Sequence, residues 1–151
     1  MTDLTADFLN GKLNIRVAAW IEADDHILVA TFPDGIMSLP GGRLKFAENT
    51  LDGIQREILE ETGMTLESAK LFAIIENFFF DKQFEKHFHE LLYIYKGQIS
   101  KDIRYKFQIS DQEKISWIPK SRVADLKPDI LQKIVFTQDQ EYIQHFVNRE
   151  Y

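Results

Sequence analysis

The sequence predicts an α/β fold, with α+β as the alternative: a mixed β-sheet with helices packed against it. Three observations predict it. Apolar, β-branched runs of strand length recur before and after one central segment of helical periodicity. Clusters of Gly, Pro and Asp separate these runs. No repeat, low-complexity tract or linker-like composition shift divides the 151 residues, so residues 1–151 read as a single domain.

The elements follow in order. Leu13–Ile21 and Ile27–Phe32 are strand-like, and Asp24, Asp25 and His26 between them supply the turn. Pro33, Asp34 and Gly35 break the chain before a short strand at Ile36–Leu39, which Pro40, Gly41 and Gly42 stop. Asn49 is placed to cap a helix running to Thr62, with Asp52 three residues on. Leu51, Ile54 and Ile58 make its apolar stripe, and Gly63 stands where a left-handed residue ends a helix. Leu71–Phe80 and Phe88–Ile99 are long strands, and Ile115–Ile118 is a shorter one bounded by Pro119. Two short helices are expected at Asp129–Phe136 and Gln140–Val147. The apolar stretch Ile130–Phe136 could serve the core or a homodimer contact.

Composition narrows the function. An apolar fraction of 44% is enough for a buried core. The net charge of −6 provides no footprint for duplex nucleic acid, which demands clustered Lys and Arg. A phosphate-bearing ligand would then need a metal ion or a local cation. There is no cysteine, so disulfides and thiolate metal sites are excluded. Met1–Gly11 is polar and acidic, unlike a secretion signal, and the longest apolar runs, such as Leu91–Tyr95, are too short to span a bilayer. A soluble cytoplasmic protein is expected, with neither a membrane nor a nucleic-acid duplex as partner.

The central helix breaks two local rules. Glu57 neighbours both Glu60 and Glu61 at helical spacing, and like charges so placed cost a few tenths of a kcal/mol per pair. All three sit towards the helix C-terminus, where the macrodipole disfavours negative charge. A broken local rule is what a functional site often looks like, although such a string standing alone is more often a solvated acidic face. A hard divalent cation would turn the repulsion into binding, because Mg²⁺ takes oxygen ligands and keeps positions for water and phosphate.

The carboxylates belong to a longer pattern. Gly42 is followed after five residues by Glu48, then after seven by Arg56-Glu57-Ile58-Leu59-Glu60-Glu61-Thr62-Gly63-Met64. This resembles the Nudix box at every fixed position, a coincidence on the order of one in ten million in a random chain of this length. The specific resemblance covers Leu39–Met64, including a Leu-Pro-Gly-Gly lead-in, and weaker likeness continues over Glu76–Tyr95. Resemblance to the Nudix hydrolase superfamily implies a mixed sheet sandwiched between α-helices. It also implies hydrolysis of a pyrophosphate bond in a nucleotide-like small molecule, with Mg²⁺ or Mn²⁺ held by Glu57, Glu60 and Glu61. Arg56 is implied to orient Glu57, and Glu48 to support the loop–helix geometry. The alternative is a non-catalytic module of the same fold that binds a nucleotide without cutting it.

Outside the box, members of the superfamily often use a later carboxylate as base or ligand. Glu113, ahead of the Ile115–Ile118 strand, is the first candidate for the base, with Glu90 and Glu76 competing. Gly41 and Gly42 are placed to bring the backbone close to phosphate, and Arg43 and Lys45 to touch it. His87 and His89 share a strand face and permit a metal pair, and Phe78, Phe79, Phe80, Phe84 and Phe88 offer rings that could stack on a base. Substrate markers are absent. The proline of the ADP-ribose subgroup is replaced by Phe79, and no tyrosine occurs from Phe80 to Lys82, where the dinucleoside-polyphosphate subgroup carries one.

Overall fold

Alternation along one long strand sets the architecture. In β2 (Gly11–Ala23), Val17, Ala19 and Ile21 point to one face of a sheet, while Ala18 and Trp20 point to the other. Both faces are covered, so the strand is apolar on both sides. A computed structural model describes residues 2–100, 104–105, 107, 113–134 and 142–150. Its strands are β1 (Thr5–Phe8), β2, β3 (His26–Thr31), β4 (Met37–Ser38), β5 (Gly41–Arg43), β6 (Glu67–Asp81), β7 (Lys86–Gln98), β8 (Lys114–Pro119) and β9 (Gln144–Glu150). The sheet runs β4-β3-β2-β7-β6-β9, with β1 and β5 also pairing to β2 and β8 to β3. It is mixed: β2 and β7 are parallel, as are β6 and β9, and the remaining pairs are antiparallel.

One face packs against α1 (Thr50–Thr62), through Ile54 and Ile58, both fully buried. The helix has the expected ends. The Asn49 side chain accepts a hydrogen bond from the Asp52 amide at 2.8 Å, and Gly63 adopts φ +74° while its N–H reaches the Leu59 carbonyl. The opposite face is covered by two 3₁₀ segments, Lys120–Asp125 and Asp129–Lys133, whose surroundings contribute Leu126, Leu131 and Ile134 to the core. Leu131 and Ile134 thus give the Ile130–Phe136 stretch a core role, and residues 135 and 136 lie outside the described residues.

Several expectations need correction. The segment from Asp129 forms a 3₁₀ helix and ends at Lys133; one and a half turns between Pro128 and the core suit the tighter geometry of short pieces. Gln140–Val147 is not a helix where it is described: Gln144–Glu150 is β9, and residues 140 and 141 lie outside the described residues. Its inward positions pair with β6 in parallel register, Phe146 opposite Ile75, so tertiary pairing overrode weak helical spacing. Leu51 is 39% exposed, because the apolar stripe of α1 meets the sheet only from its second turn. The short strands β1 and β5 were not foreseen, since both gain their strand character from pairing with β2. Among the described residues, no helix is long and apolar enough to cross a membrane.

Candidate active site

The site is built from α1 outwards. Glu48, half-buried in the loop before the helix, accepts from the Lys45 amide at 3.1 Å and grips the Arg56 guanidinium through both oxygens, at 2.8 and 3.0 Å. This pair holds Glu48 below the usual carboxylate range, chiefly through the hydrogen bonds from Arg56, and keeps Arg56 charged. Arg56 Nη1 donates to Glu57 at 3.0 Å, while Nη2 reaches the Arg43 carbonyl at 3.2 Å. Two longer contacts, 3.4 Å each, reach Glu60, whose side chain is largely exposed. Glu48 and Arg56 therefore fasten the helix to the loop and fix the carboxylate of Glu57.

Gly42 makes room for that carboxylate. A Cβ there would lie 2.6–2.8 Å from the two Glu57 oxygens and the carbon between them. No side chain fits in this space, so only glycine lets Glu57 lie against the β5 backbone. Burial pushes Glu57 upward in pKa, and Arg56 opposes the shift.

Glu61 is the least comfortable group. Burial pushes its carboxyl up to about 9, the negative charges of Glu113 and Glu57 add to the shift, and the Gly41 amide only partly opposes it. Glu113 is also raised, by burial first, with the hydrogen bond it shares with Glu61 opposing. The hydrogen bond between the two carboxyls adds to the rise of Glu61 and opposes that of Glu113. Glu61 Oε2 is buried and, among the described residues, has no hydrogen-bond partner. An orphaned carboxylate oxygen beside two like charges is costly unless a cation sits there.

The donor set therefore fits a hard divalent cation at Glu61, with Glu57, Glu60 and Glu113 close by in sequence or charge. Among the described residues no three Asp, Glu or His side chains form a ready cage, so the unpartnered oxygen carries this fit rather than a preformed ligand set.

The other expected residues are placed as follows. Arg43 pairs with Asp3 at 3.7 Å and Lys45 with the same carboxylate at 3.0 Å, so both side chains are engaged away from Glu57. Glu113 joins the box carboxylates; Glu76 lies on the opposite face of β6 from Asn77 and pairs with His145 at 2.7 Å. Glu90 lines a cavity of about 640 Å³ that begins at Gly41. His87 and His89 contact Phe80 and Phe78 at ring distances of 5.0 and 4.4 Å, away from the box. Of the aromatics, Phe79 and Phe80 line the 640 Å³ cavity, Phe88 stacks on Phe79, and Phe84 is exposed on the β6–β7 turn. A hollow of about 660 Å³ at the far end of the sheet, lined in part by Trp20, Lys70 and Lys96, contains none of the candidate residues.

One residue escaped sequence reasoning. Arg16 on β2 stands opposite Arg43, lines the 640 Å³ cavity with Gly41, and lowers the pKa of both Glu57 and Glu113 by its charge. Its signal was present in the sequence, as a cation inside the apolar strand Leu13–Ile21 at a position of the same parity as Asn14 and Ala18.

Comparison with known proteins agrees with this geometry. The NUDIX domain family model matches residues 12–140. Among solved structures, the mutator MutT protein from Bacillus halodurans is similar with a TM-score of 0.70 and 22% identity, over 90% of each chain. A MutT NUDIX hydrolase from Burkholderia pseudomallei gives 0.62 and 23%, over 82% of this chain and 98% of that one. An ADP-ribose pyrophosphatase from Streptococcus suis gives 0.54 and 19%, over 89% and 98% respectively. At these identities the structural likeness concerns the fold, and it is the family match over most of the sequence, together with the intact box on α1, that carries the conclusion: the chain belongs to the NUDIX domain family.

Proposed function

We propose that this Nudix pyrophosphohydrolase is a divalent-metal enzyme that cleaves the P–O–P linkage of a nucleotide or nucleoside-diphosphate derivative. The observation that carries the reading is the buried, unpartnered oxygen of Glu61 among the charges of Glu57 and Glu113. Glu57, Glu60 and Glu61 would hold the cation, Mg²⁺ or Mn²⁺. When bound, it supplies Lewis-acid stabilisation of phosphate charge and of the leaving oxygen, and lowers the pKa of an attacking water.

The chain's own groups do the rest. Arg56, clamped by Glu48, keeps Glu57 in one orientation. Gly42 leaves the space that the Glu57 carboxylate occupies, and with Gly41 it exposes backbone to a phosphate. Arg16 provides positive charge in the cavity lining, which an acidic protein needs to receive an anion. Glu113 is the group to accept the proton of the attacking water, since it sits beside the box carboxylates and burial raises its pKa. The neighbouring cavity, about 640 Å³, is large enough to hold a nucleoside.

The test is release of phosphate or nucleoside monophosphate from nucleoside triphosphates, ADP-ribose, dinucleoside polyphosphates and nucleotide sugars, with Mg²⁺ or Mn²⁺. The reading expects metal-dependent turnover that falls by orders of magnitude in Glu61→Gln. No turnover on any compound, with the protein folded and binding metal, would instead favour a module that holds a nucleotide without cutting it.

A further inference from the structure

A polar row crosses the sheet on the cavity face. Thr5, Asn14, Glu90, Asn77 and Asn148 are successive Cα partners on β1, β2, β7, β6 and β9. Three of the four links in this row are hydrogen bonds. Thr5 Oγ1 donates to Asn14 Oδ1 at 2.6 Å, Asn14 Nδ2 donates to Glu90 Oε2 at 3.0 Å, and Asn148 Nδ2 donates to Asn77 Oδ1 at 2.7 Å. The missing link is the central one. Among the described residues nothing is bonded to Glu90 Oε1 or to Asn77 Nδ2, although both residues line the 640 Å³ cavity and Asn77 is only 6% exposed. Asn14 and Asn148, themselves engaged, determine which atoms of the central pair remain.

A ligand in the cavity that completes the hydrogen bonds of these groups would take the place of solvent there. The gap presents a carboxylate oxygen beside an amide N–H₂, that is, acceptors next to a donor. Its position also matters. Along β2, Arg16 is two residues beyond Asn14, and Ala18, the partner of Gly41, is two beyond that. At the strand rise, the gap therefore lies about 14 Å from the Gly41 row, with Arg16 midway. This is the span from the edge of a base to the phosphates of the same nucleotide, and Phe79 offers an aromatic wall two residues from Asn77.

Resting on the hydrolase reading above, we infer that Glu90 and Asn77 read the base edge of the substrate, and that the base is guanine. Among the common bases only guanine sets two adjacent N–H donors, N1–H and N2–H₂, beside a carbonyl oxygen. The Glu90 carboxylate takes the N–H groups and the Asn77 amide donates to O6. Adenine offers an amino group beside a bare ring nitrogen, and uracil one N–H between two carbonyls; each leaves the carboxylate with a single donor. A site that hydrogen-bonds its ligand in this way rejects analogues because its own groups are then left unpaired.

The test compares kcat/KM for GTP, ITP and ATP with the full-length wild-type protein, and for GTP and ATP with Glu90→Gln. The expected order is GTP above ITP above ATP, with GTP over ATP by at least about tenfold. ITP lacks only the N2 amino group, so its deficit needs no variant to interpret. Glu90→Gln should move the GTP/ATP ratio towards one, chiefly through KM for GTP; a variant that merely misfolds would lower both substrates and keep the ratio. Equal turnover of all three, a preference for ATP, or an unchanged ratio in a folded Glu90→Gln protein would overturn the assignment and leave the hydrolase reading intact. Calorimetric binding of GDP and ADP separates the converse case: guanine-selective binding without turnover would uphold the base site and remove the hydrolase.

Discussion

At the scale of single residues, the box works through what each carboxylate is denied. Glu57 has its guanidinium partner and Glu48 shares it, whereas Glu61 has burial and like charges. Burial and these neighbours favour the protonated form of Glu61. The folded-state pKa of Glu61 lies above its unfolded value, so its contribution to stability is full below the unfolded pKa and is lost as pH rises towards about 9. Denaturant titrations of metal-free protein between pH 5 and pH 9 should show this loss, about the range set by the two pKa values, and Glu61→Gln should flatten it. Cation uptake should also release a proton at neutral pH, measurable as a dependence of the calorimetric heat on buffer ionisation enthalpy. Gly42→Ala tests the other half of the site. A methyl 2.6 Å from Glu57 must displace that carboxylate, so kcat should drop by orders of magnitude while the circular dichroism spectrum is retained.

At the scale of elements, α1 is a short helix whose like-charged face opposes it and whose caps and core stripe stabilise it. Asn49→Ala should cost about 1 kcal/mol of folding stability through the lost bond to the Asp52 amide. Gly63→Ala should cost about 1–2 kcal/mol, because a side chain at φ +74° strains the left-handed cap. Equilibrium denaturation measures both, and a change under 0.3 kcal/mol, about the scale of a neutral surface substitution, would contradict the capping account. These ends were legible beforehand because capping is local chemistry: an Asx side chain before the helix and a glycine after it act within four residues. β9 was not legible. Ile143 and Val147 stand four apart and imitate a helix, and only the presence of β6 as a neighbour makes the segment a strand. β5 was hidden for the same reason, since Gly41–Arg43 has no strand propensity apart from its pairing with Val17 and Ala18.

At the scale of the molecule, packed layers cover both faces of the sheet. Ile58 is buried under α1 and Leu131 under the 3₁₀ segments, on opposite sides of the same sheet. Ile58→Ala and Leu131→Ala should each destabilise the fold by about 2–5 kcal/mol in denaturation. Only the first should also lower kcat in the folded protein, because α1 carries the carboxylates and the opposite layer does not.

The sequence by itself determined the family, the helix with both its ends, the longest strands and the cluster of carboxylates on that helix. It could do so because spacing on one helix and capping at its ends are properties of neighbouring residues. The tertiary structure decided which carboxylates meet. Glu113 lies 52 positions beyond Glu61 yet shares a hydrogen bond with it, Arg16 turns its charge on both Glu113 and Glu57, and Asn14, Glu90 and Asn77 become a row. The strand encounters depend on register, and a shift of one residue would send Asn14, Arg16, Asn77 and Glu90 to the other face of the sheet.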